Sequence, residues 1–494
     1  MLKNYYNKFM KFYEIINTLI LFVYWILVGL VTLRILMKKK SISSTTSWLL
    51  IVYILPIIGI LFYIFLSELN VGKKRTSNLY KIWLYGVNWI NNIDCNKTIF
   101  NNKNSYIATS IFKLCKNIQG IPGTKVHKLK IFTSTNNIIK KLIRDISSAK
   151  NNIEIMFYIW QPGGIADKVA EALIIASCQG IHCRLMLDSA GSSIFFRSPW
   201  VKIMKDAGIE IVETLKINIL KIFLRRIDLR QHRKIIIIDN YITYTGSMNL
   251  VDPKLFKRNI GIGEWIDLMV RMEGPIAISI GIIYACDWEL ETGKKILPNI
   301  SNKNKISHNK KYLNGVQIIA SGPGFSKDII HQVLLTAIYS ATKKINITTP
   351  YFVPSDDLLN AICSAAKRGV KVNIIIPYYN DSILVNWVSK YFFTDLLSSG
   401  VNIYQFKKGL LHTKSILIDH QLSFVGTANL DMRSLWLNFE ITLAIDDSNF
   451  SKNLSNIQKE YIKLSKKLKL KKWDKRSYWY KLMERLLFFF HPLL

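Results

Sequence analysis

The sequence predicts an α/β protein made of two similar α/β sandwich halves that share one active site, preceded by two membrane-crossing helices. Three observations carry that expectation. His232-x-Lys234-x4-Asp239 and His412-x-Lys414-x4-Asp419 repeat one spacing, and each is followed by a matching tail, Gly246-Ser247-Met248-Asn249 and Gly426-Thr427-Ala428-Asn429. Each copy closes the same alternation of helix-like and strand-like segments. Two apolar stretches lie within the first 70 residues, each about 20 residues long, the length that crosses a hydrocarbon core.

The N-terminal segment, residues 1–70, places its spans at about 15–37, with Arg34 near the end, and 48–66, which contains Pro56. A cleaved signal peptide is the alternative for the first. Its apolar run is too long for one, no small-residue cleavage site follows, and a second stretch comes quickly. Pro56 is expected to disturb the second helix locally, which a membrane helix tolerates where neighbouring groups satisfy the freed carbonyl. Lys38, Lys39 and Lys40 sit between the spans, while Lys3, Lys8, Lys11, Lys73, Lys74 and Arg75 flank them. That count favours both termini on the cytoplasmic side. Residues 71–125 read as a polar connector with Trp83 and Trp89, to which no chemistry can be assigned.

The first half, residues 126–292, begins with a helix-like Ile138–Ala149, an apolar strand Ile153–Ile159, a helix Ala166–Gln179 and a strand Cys183–Leu187. The second half, residues 315–450, repeats the series as Ser326–Ala341, Ile345–Thr349, Asp357–Arg368 and Val370–Ile376. Alternation of this kind points to an α/β layer structure in each half. Residues 293–314 between them are rich in Asn, Lys and Ser and read as a linker, with His308 solvated. Residues 451–494 form a basic segment that ends in Leu486-Leu487-Phe488-Phe489-Phe490 and Pro492-Leu493-Leu494. Two readings stand for it: lying in a lipid headgroup region, or packing against the body of the protein.

Both motif copies enclose short apolar runs, Ile235–Ile238 and Ser415–Ile418, which suit buried strands. Side chains on a strand alternate faces, so His232 and Lys234 point the same way, as do His412 and Lys414. An imidazole serves as nucleophile or as acid and base near neutral pH, and a lysine supplies positive charge to a phosphoryl oxygen. Asn249 and Asn429 add amide donors for the same anion, with Ser247 and Thr427 beside them in the tails. One copy is half a site, and two facing copies complete it.

Composition limits the alternatives. Half of the 494 residues are hydrophobic, which excludes general disorder. Six cysteines are scattered without a CxxC pair or metal-ligand spacing, so neither a zinc site nor a disulfide framework is indicated, and no metal or other cofactor is expected. A net charge of +34 suits nucleic acid or an anionic membrane surface. A compositional bias toward Lys, Asn and Ile competes as an explanation, and the apolar N-terminus favours anionic membrane lipid over nucleic acid.

The doubled motif is similar to that of the phospholipase D superfamily. Its flanks, His232-Arg233-Lys234-Ile235, Gly263-Glu264-Trp265-Ile266-Asp267, Arg271-Met272-Glu273-Gly274-Pro275, Asn429-Leu430-Asp431-Met432-Arg433-Ser434 and Asn438-Phe439-Glu440, resemble those of the bacterial cardiolipin synthase family. The resemblance implies two phospholipase D-like halves. It also implies phosphatidyl transfer from one phosphatidylglycerol to another, giving cardiolipin and glycerol through a phosphohistidine. In this scheme His232 is the nucleophile and His412 the acid and base. Asp267 and Glu440 are placed to orient the histidines, and the family suggests a crossed pairing, Asp267 with His412 and Glu440 with His232. Asp239 and Asp419 belong to the motif, yet five residues beyond lysine they lie some 16 Å along the strand, which suits fixing the strand and its turn. The implied location is the bacterial cell (inner) membrane, multi-pass, with a cytoplasmic catalytic region; oligomeric state is unspecified. A hydrolytic phospholipase D, another phosphatidyltransferase and a membrane-tethered nuclease are the alternatives.

Overall fold

The computed structural model describes residues 2–38, 42–66, 73–92, 105–216, 228–257, 261–298, 315–325 and 328–491. Most of the expected linker, with His308, and the final Pro492-Leu493-Leu494 lie outside the described residues. The chain divides into two units.

The first unit is the N-terminal segment. Helix α1 (Leu2–Met37) contains the only stretch among the described residues, Tyr5–Met37, that is long and apolar enough to cross a membrane. The expected second span, 48–66, is not one helix. It belongs to two, α2 (Ile42–Ile54) and α3 (Pro56–Leu66). Pro56 brings no N–H to the helical ladder, and after the break at Leu55 the chain folds back. The rings of Trp48 and Tyr63 meet edge to face at 5.6 Å, whereas one straight helix would hold these residues about 22 Å apart. A Cβ on Gly59 would collide with the Ile51 carbonyl, so glycine permits the close approach. Val28, Val31 and Ile35 of α1 share a buried cluster with Trp48, Ile51, Val52 and Tyr63. At 13 and 11 residues neither α2 nor α3 has the length to cross a hydrocarbon core by itself.

The second unit opens with α4 (Lys73–Asn91) and α5 (Tyr106–Gln119), which occupy much of the expected connector. Both are parts of the folded body. Ser105 caps α5 by accepting the Ala108 N–H, and Gly120, at φ 77°, ends it. The Ile107, Ala108, Ile111, Phe112 and Cys115 face of α5 enters the main core of the second half.

The first half then runs β1 (Thr124–Lys125), β2 (Lys128–Phe132), α6 (Thr135–Ser147), β3 (Asn152–Phe157), α7 (Ile165–Cys178), β4 (His182–Asp188), α8 (Ser193–Phe196), α9 (Trp200–Asp206), β5 (Glu210–Thr214), β6 (Ile235–Ile238), β7 (Ile242–Gly246), β8 (Trp265–Ile266), β9 (Met269–Glu273) and α10 (Ile276–Thr292). The second half runs β10 (Gly315–Ser321), α11 (Ile329–Ser340), β11 (Lys344–Thr348), α12 (Asp356–Lys367), β12 (Lys371–Pro377), α13 (Ile383–Tyr391), α14 (Phe393–Ser398), β13 (Asn402–Phe406), β14 (Leu410–Leu411), β15 (Ser415–Ile418), β16 (Leu422–Gly426), α15 (Met432–Trp436) and β17 (Glu440–Asp446). After it come α16 (Ser448–Lys463), β18 (Ser465–Lys467), α17 (Leu470–Asp474) and α18 (Tyr478–Phe488).

One sheet has the order β2-β9-β7-β6-β3-β4-β5, and the other contains β10-β17-β16-β15-β11-β12-β13, the same order strand for strand. In each, three parallel strands adjoin a run of antiparallel ones. β1 and β18 extend the second sheet at its two edges. The all-isoleucine β6 is buried on both faces: Ile236 and Ile238 join the first half's helix-side core, while Ile235 and Ile237 join a shared core with Leu417, Val425, Ile441 and Leu443 of the other sheet. The two sheets thus meet face to face. α10 closes that shared core with Ile276, Ile280, Ile283, Tyr284 and Trp288, and it is buried all round along most of its length.

The C-terminal segment packs against the second half. Phe488 stacks on Tyr391 at 4.1 Å, Trp473 is buried against Phe393, and His491 Nε2 meets the Pro354 carbonyl at 3.2 Å. One face of α18 is therefore committed to the body of the protein.

Candidate active site

His232 and His412 enter the site through matching backbone contacts between the halves. The His232 N–H donates to the Phe439 carbonyl at 3.0 Å, and the His412 N–H donates to the Ile266 carbonyl at 2.9 Å. Gln231 bridges to Phe439, and β14 pairs with β8. Each histidine strand is thus held by the segment of the opposite half that leads into, or contains, a carboxylate.

That exchange crosses the side chains as well. His232 Nδ1 lies 2.8 Å from Glu440 Oε2, and His412 Nδ1 lies 2.7 Å from Asp267 Oδ1. Ser247 Oγ donates to Asp267 at 2.7 Å and Thr427 Oγ1 donates to Glu440, while Asn438 Nδ2 adds 3.3 Å to Glu440. Ser247 and Thr427 therefore hold carboxylates. A carboxylate on Nδ1 fixes the tautomer whose Nε2 is unprotonated and stabilises imidazolium when it forms. Lys234 Nζ and Lys414 Nζ each donate to the carbonyl of their own motif histidine at 2.7 Å.

All of these groups are buried, and burial governs their charge. It pulls His232 down to about 4, against the opposing pull of Glu440. His412 is lowered by burial and by Lys414. The same desolvation brings Lys234 to about 7 and Lys414 to about 8. Burial raises Glu440 and Asp267, but the adjoining histidine and lysines more than offset it, so both are held below their ordinary values. His232 is therefore neutral near pH 7, and the two lysines are held closer to neutrality than exposed ammonium groups. An arriving phosphodiester anion would favour the charged form of the two lysines. Asn249 and Asn429 are buried, and the side-chain oxygen of each has no hydrogen-bond partner among the described residues.

Asp239 and Asp419, the last members of the two motifs, stand apart from this cluster. They follow the far ends of β6 and β15, at φ 54° and 50°. Asp239 accepts the N–H groups of Lys150, Asn151 and Asn152, and Asp419 those of Thr342, Lys343 and Lys344. Each ties its strand to the start of the neighbouring antiparallel strand, β3 or β11.

The structure adds residues that sequence spacing does not single out. Tyr158 lies edge-on to the His232 ring at 5.0 Å, with Lys234 Nζ 5.4 Å from its own ring. Trp265 sits 4.5 Å from the His412 ring, and Lys257 Nζ lies 5.4 Å from Trp265. Lys257 pairs with Asp381 at 2.8 Å, and Asp381 accepts the Tyr351 hydroxyl at 2.7 Å. Arg233, between the two motif residues, is fully buried. It pairs with Asp287 of α10, donates to the Glu440 and Ser321 carbonyls, and lies 4.8 Å from the Phe325 ring. Tyr158 and Tyr351 follow equivalent strands, β3 and β11, a correspondence legible only after the two sheets are aligned.

Known proteins agree with this architecture. A family model described as cardiolipin synthase, PLD-like domain, matches residues 142–263 and 334–462. The chain is 60% identical to cardiolipin synthase A of Buchnera aphidicola subsp. Schizaphis graminum, over 98% of this chain and 99% of that one. It is 56% identical to cardiolipin synthase A of Klebsiella pneumoniae, with the same coverage. The crystal structure of phosphatidylserine synthase from Haemophilus influenzae superposes with a TM-score of 0.56 at 14% identity, covering 78% of this chain and 97% of that one, and so supports the fold. The sequence repeat, the doubled sheet and these matches agree: the chain belongs to the cardiolipin synthase family of phospholipase D-like proteins.

Proposed function

We propose that the protein transfers a phosphatidyl group from one phosphatidylglycerol to another, giving cardiolipin and glycerol, with His232 as nucleophile. The observation that carries this reading is the crossed pairing of the two histidines with Glu440 and Asp267. His232 Nε2 attacks phosphorus while imidazolium His412 protonates the departing glycerol oxygen. The P–O bond breaks as the P–N bond forms. His412, now neutral, then takes the proton from the hydroxyl of a second phosphatidylglycerol, whose oxygen displaces His232 from phosphorus. Each displacement is assisted by proton transfer, and the covalent step divides one hard reaction into two. Lys234, Lys414, Asn249 and Asn429 face the non-bridging oxygens and offset their charge.

The domain limits given above, 126–292 and 315–450 for the halves, fit this scheme because each half supplies one histidine and one carboxylate. The N-terminal segment holds the enzyme at the bacterial inner membrane through α1, and the catalytic body faces the cytoplasmic leaflet, where anionic lipid attracts a chain of net charge +34. The helical pair α2–α3 has the dimensions of a segment that dips into the bilayer. Cysteines placed at positions 42 and 66 and labelled from one side only would support that form; labelling from opposite sides would support a second crossing.

Detergent-solubilised wild type and His232→Ala, given phosphatidylglycerol alone, test the reaction. Cardiolipin and glycerol should appear together and vanish in the variant. Phosphatidic acid without cardiolipin would move the chain to the hydrolases, and a phosphatidyl-enzyme trapped in His232→Ala would overturn the choice of nucleophile.

A further inference from the structure

The outer face of α18 is unlike an ordinary protein surface. Trp479, Met483 and Leu486 follow one another at helical spacing and are 71, 43 and 47% exposed, and Tyr478 beside them is 71% exposed. Isolated exposed apolar residues are common, whereas a contiguous apolar stripe marks an interaction site. The helix cannot turn this stripe inward, because its other face is already fixed: Phe488 stacks on Tyr391, and Glu484 is buried in a pair with Arg476. The stripe continues onto the neighbouring helix. Tyr480 stacks on Trp387 of α13 at 5.9 Å, and α13 begins with Ile383, 78% exposed.

We propose that the α13–α18 face is a membrane-docking surface that seats the catalytic body on an anionic bilayer. Charge complementarity selects this occupant. From Lys463 to Arg485 the chain carries ten basic residues and two acidic ones, Asp474 and Glu484. Glu484 is already paired with Arg476. Tyrosine and tryptophan set among lysines and arginines match the headgroup boundary of an anionic leaflet. Continuity with the site is the second argument. Ile383 stands two residues after Asp381, and Asp381 is joined through Lys257 and Trp265 to the His412 ring. The face therefore adjoins residues that are linked by contact to the His412 ring. The choice of phosphatidylglycerol as the anionic lipid rests on the reaction proposed above; the docking itself does not.

The test uses the full-length protein in bilayer nanodiscs. Fluorescence quenching by brominated phosphatidylglycerol is compared between wild type and Trp479→Leu, so that the difference isolates Trp479. The proposal requires the wild-type excess to be quenched by brominated phosphatidylglycerol and far less by a brominated neutral lipid. Met483→Asp and, separately, Ile383→Asp should raise the KM for phosphatidylglycerol in bilayers about fivefold or more while leaving kcat in place. Turnover of monomeric short-chain phosphatidylglycerol should not change in either variant. An unquenched Trp479 overturns the proposal, as does equal quenching by both lipids. So does protection of Trp479 in a dimer that Met483→Asp dissolves, which would assign the face to a second copy of the chain. Short-chain turnover also separates the two ideas: its absence in wild type would sink the proposed reaction, while quenching would still decide docking.

Discussion

Glu440→Gln would keep the size of the side chain and remove the charge that faces His232 Nδ1. An amide can then donate to Nδ1, which favours the imidazole tautomer with a protonated, non-nucleophilic Nε2. A loss of about 10³- to 10⁴-fold in kcat is expected, as for carboxylate loss in other triads, with little change in the folded state by circular dichroism. Charge also sets the pH response. With His232 held at about 4, its imidazole is neutral and ready to attack throughout the neutral range. Lys234 and Lys414, at about 7 and about 8, lose their charge as pH rises through that interval, and a neutral amine no longer attracts phosphodiester. Values of kcat/KM measured between about pH 5 and 9 should therefore fall on the alkaline side, and Lys234→Arg, which stays protonated, should move that limb upward. Arg233 is a positioning residue of another kind, since it holds the Glu440 backbone. Arg233→Met would leave Asp287 charged and buried without its partner, at a cost of about 3–5 kcal/mol by denaturation, and Asp287→Leu in the same chain should restore part of it. At this scale the sequence was generous with the motif residues and silent on their neighbours. His232 and Lys234 advertise themselves by spacing, whereas Asp381, Lys257 and Tyr158 reach the site from loops and strand ends far away in the chain.

Individual elements follow the same division between local and long-range information. β6 was legible because four consecutive isoleucines can only satisfy a strand buried on both sides. α10 was not, since an apolar run of that length lacks the periodicity of a surface helix, and its burial depends on two sheets that the sequence does not display together. The expected second membrane segment is not one helix but breaks before Pro56, for a physical reason: folding back lets Trp48 meet Tyr63, a contact no straight helix offers. Pro56→Leu combined with Gly59→Leu should favour one continuous helix of about 37 Å, detectable as a change in the sidedness of cysteine labelling at position 66. The motif aspartates act on elements too. Asp419→Ala should cost about 1–3 kcal/mol by releasing buried N–H groups, with kcat per folded molecule nearly unchanged. Burial raises the Asp419 carboxyl, but the N–H groups of Lys344, Thr342 and Lys343 bring it below its ordinary value. Its contribution is therefore complete above the unfolded carboxyl range and lost as pH falls through the lower folded value.

For the molecule as a whole, neither half is an enzyme in miniature. Each histidine takes its carboxylate from the other half, so separately produced halves should be inactive, and activity should return only on mixing if they reassociate. In the tail, one face of α18 packs against the second half through Phe488 and the other, with Trp479 and Met483, is exposed. The placement of α5 has a consequence for synthesis. Its apolar face leaves the ribosome about 220 residues ahead of the end of α11, a partner in the second-half core. At about 5–20 residues per second it waits roughly ten to forty seconds for that partner. Until then Ile111 and Phe112 have no native shelter there, and β1 has no strand to join. Translation therefore delivers the second domain's missing pieces first, so the final fold is sealed backward along the chain, and the nascent protein depends on whatever guards α5 during that delay.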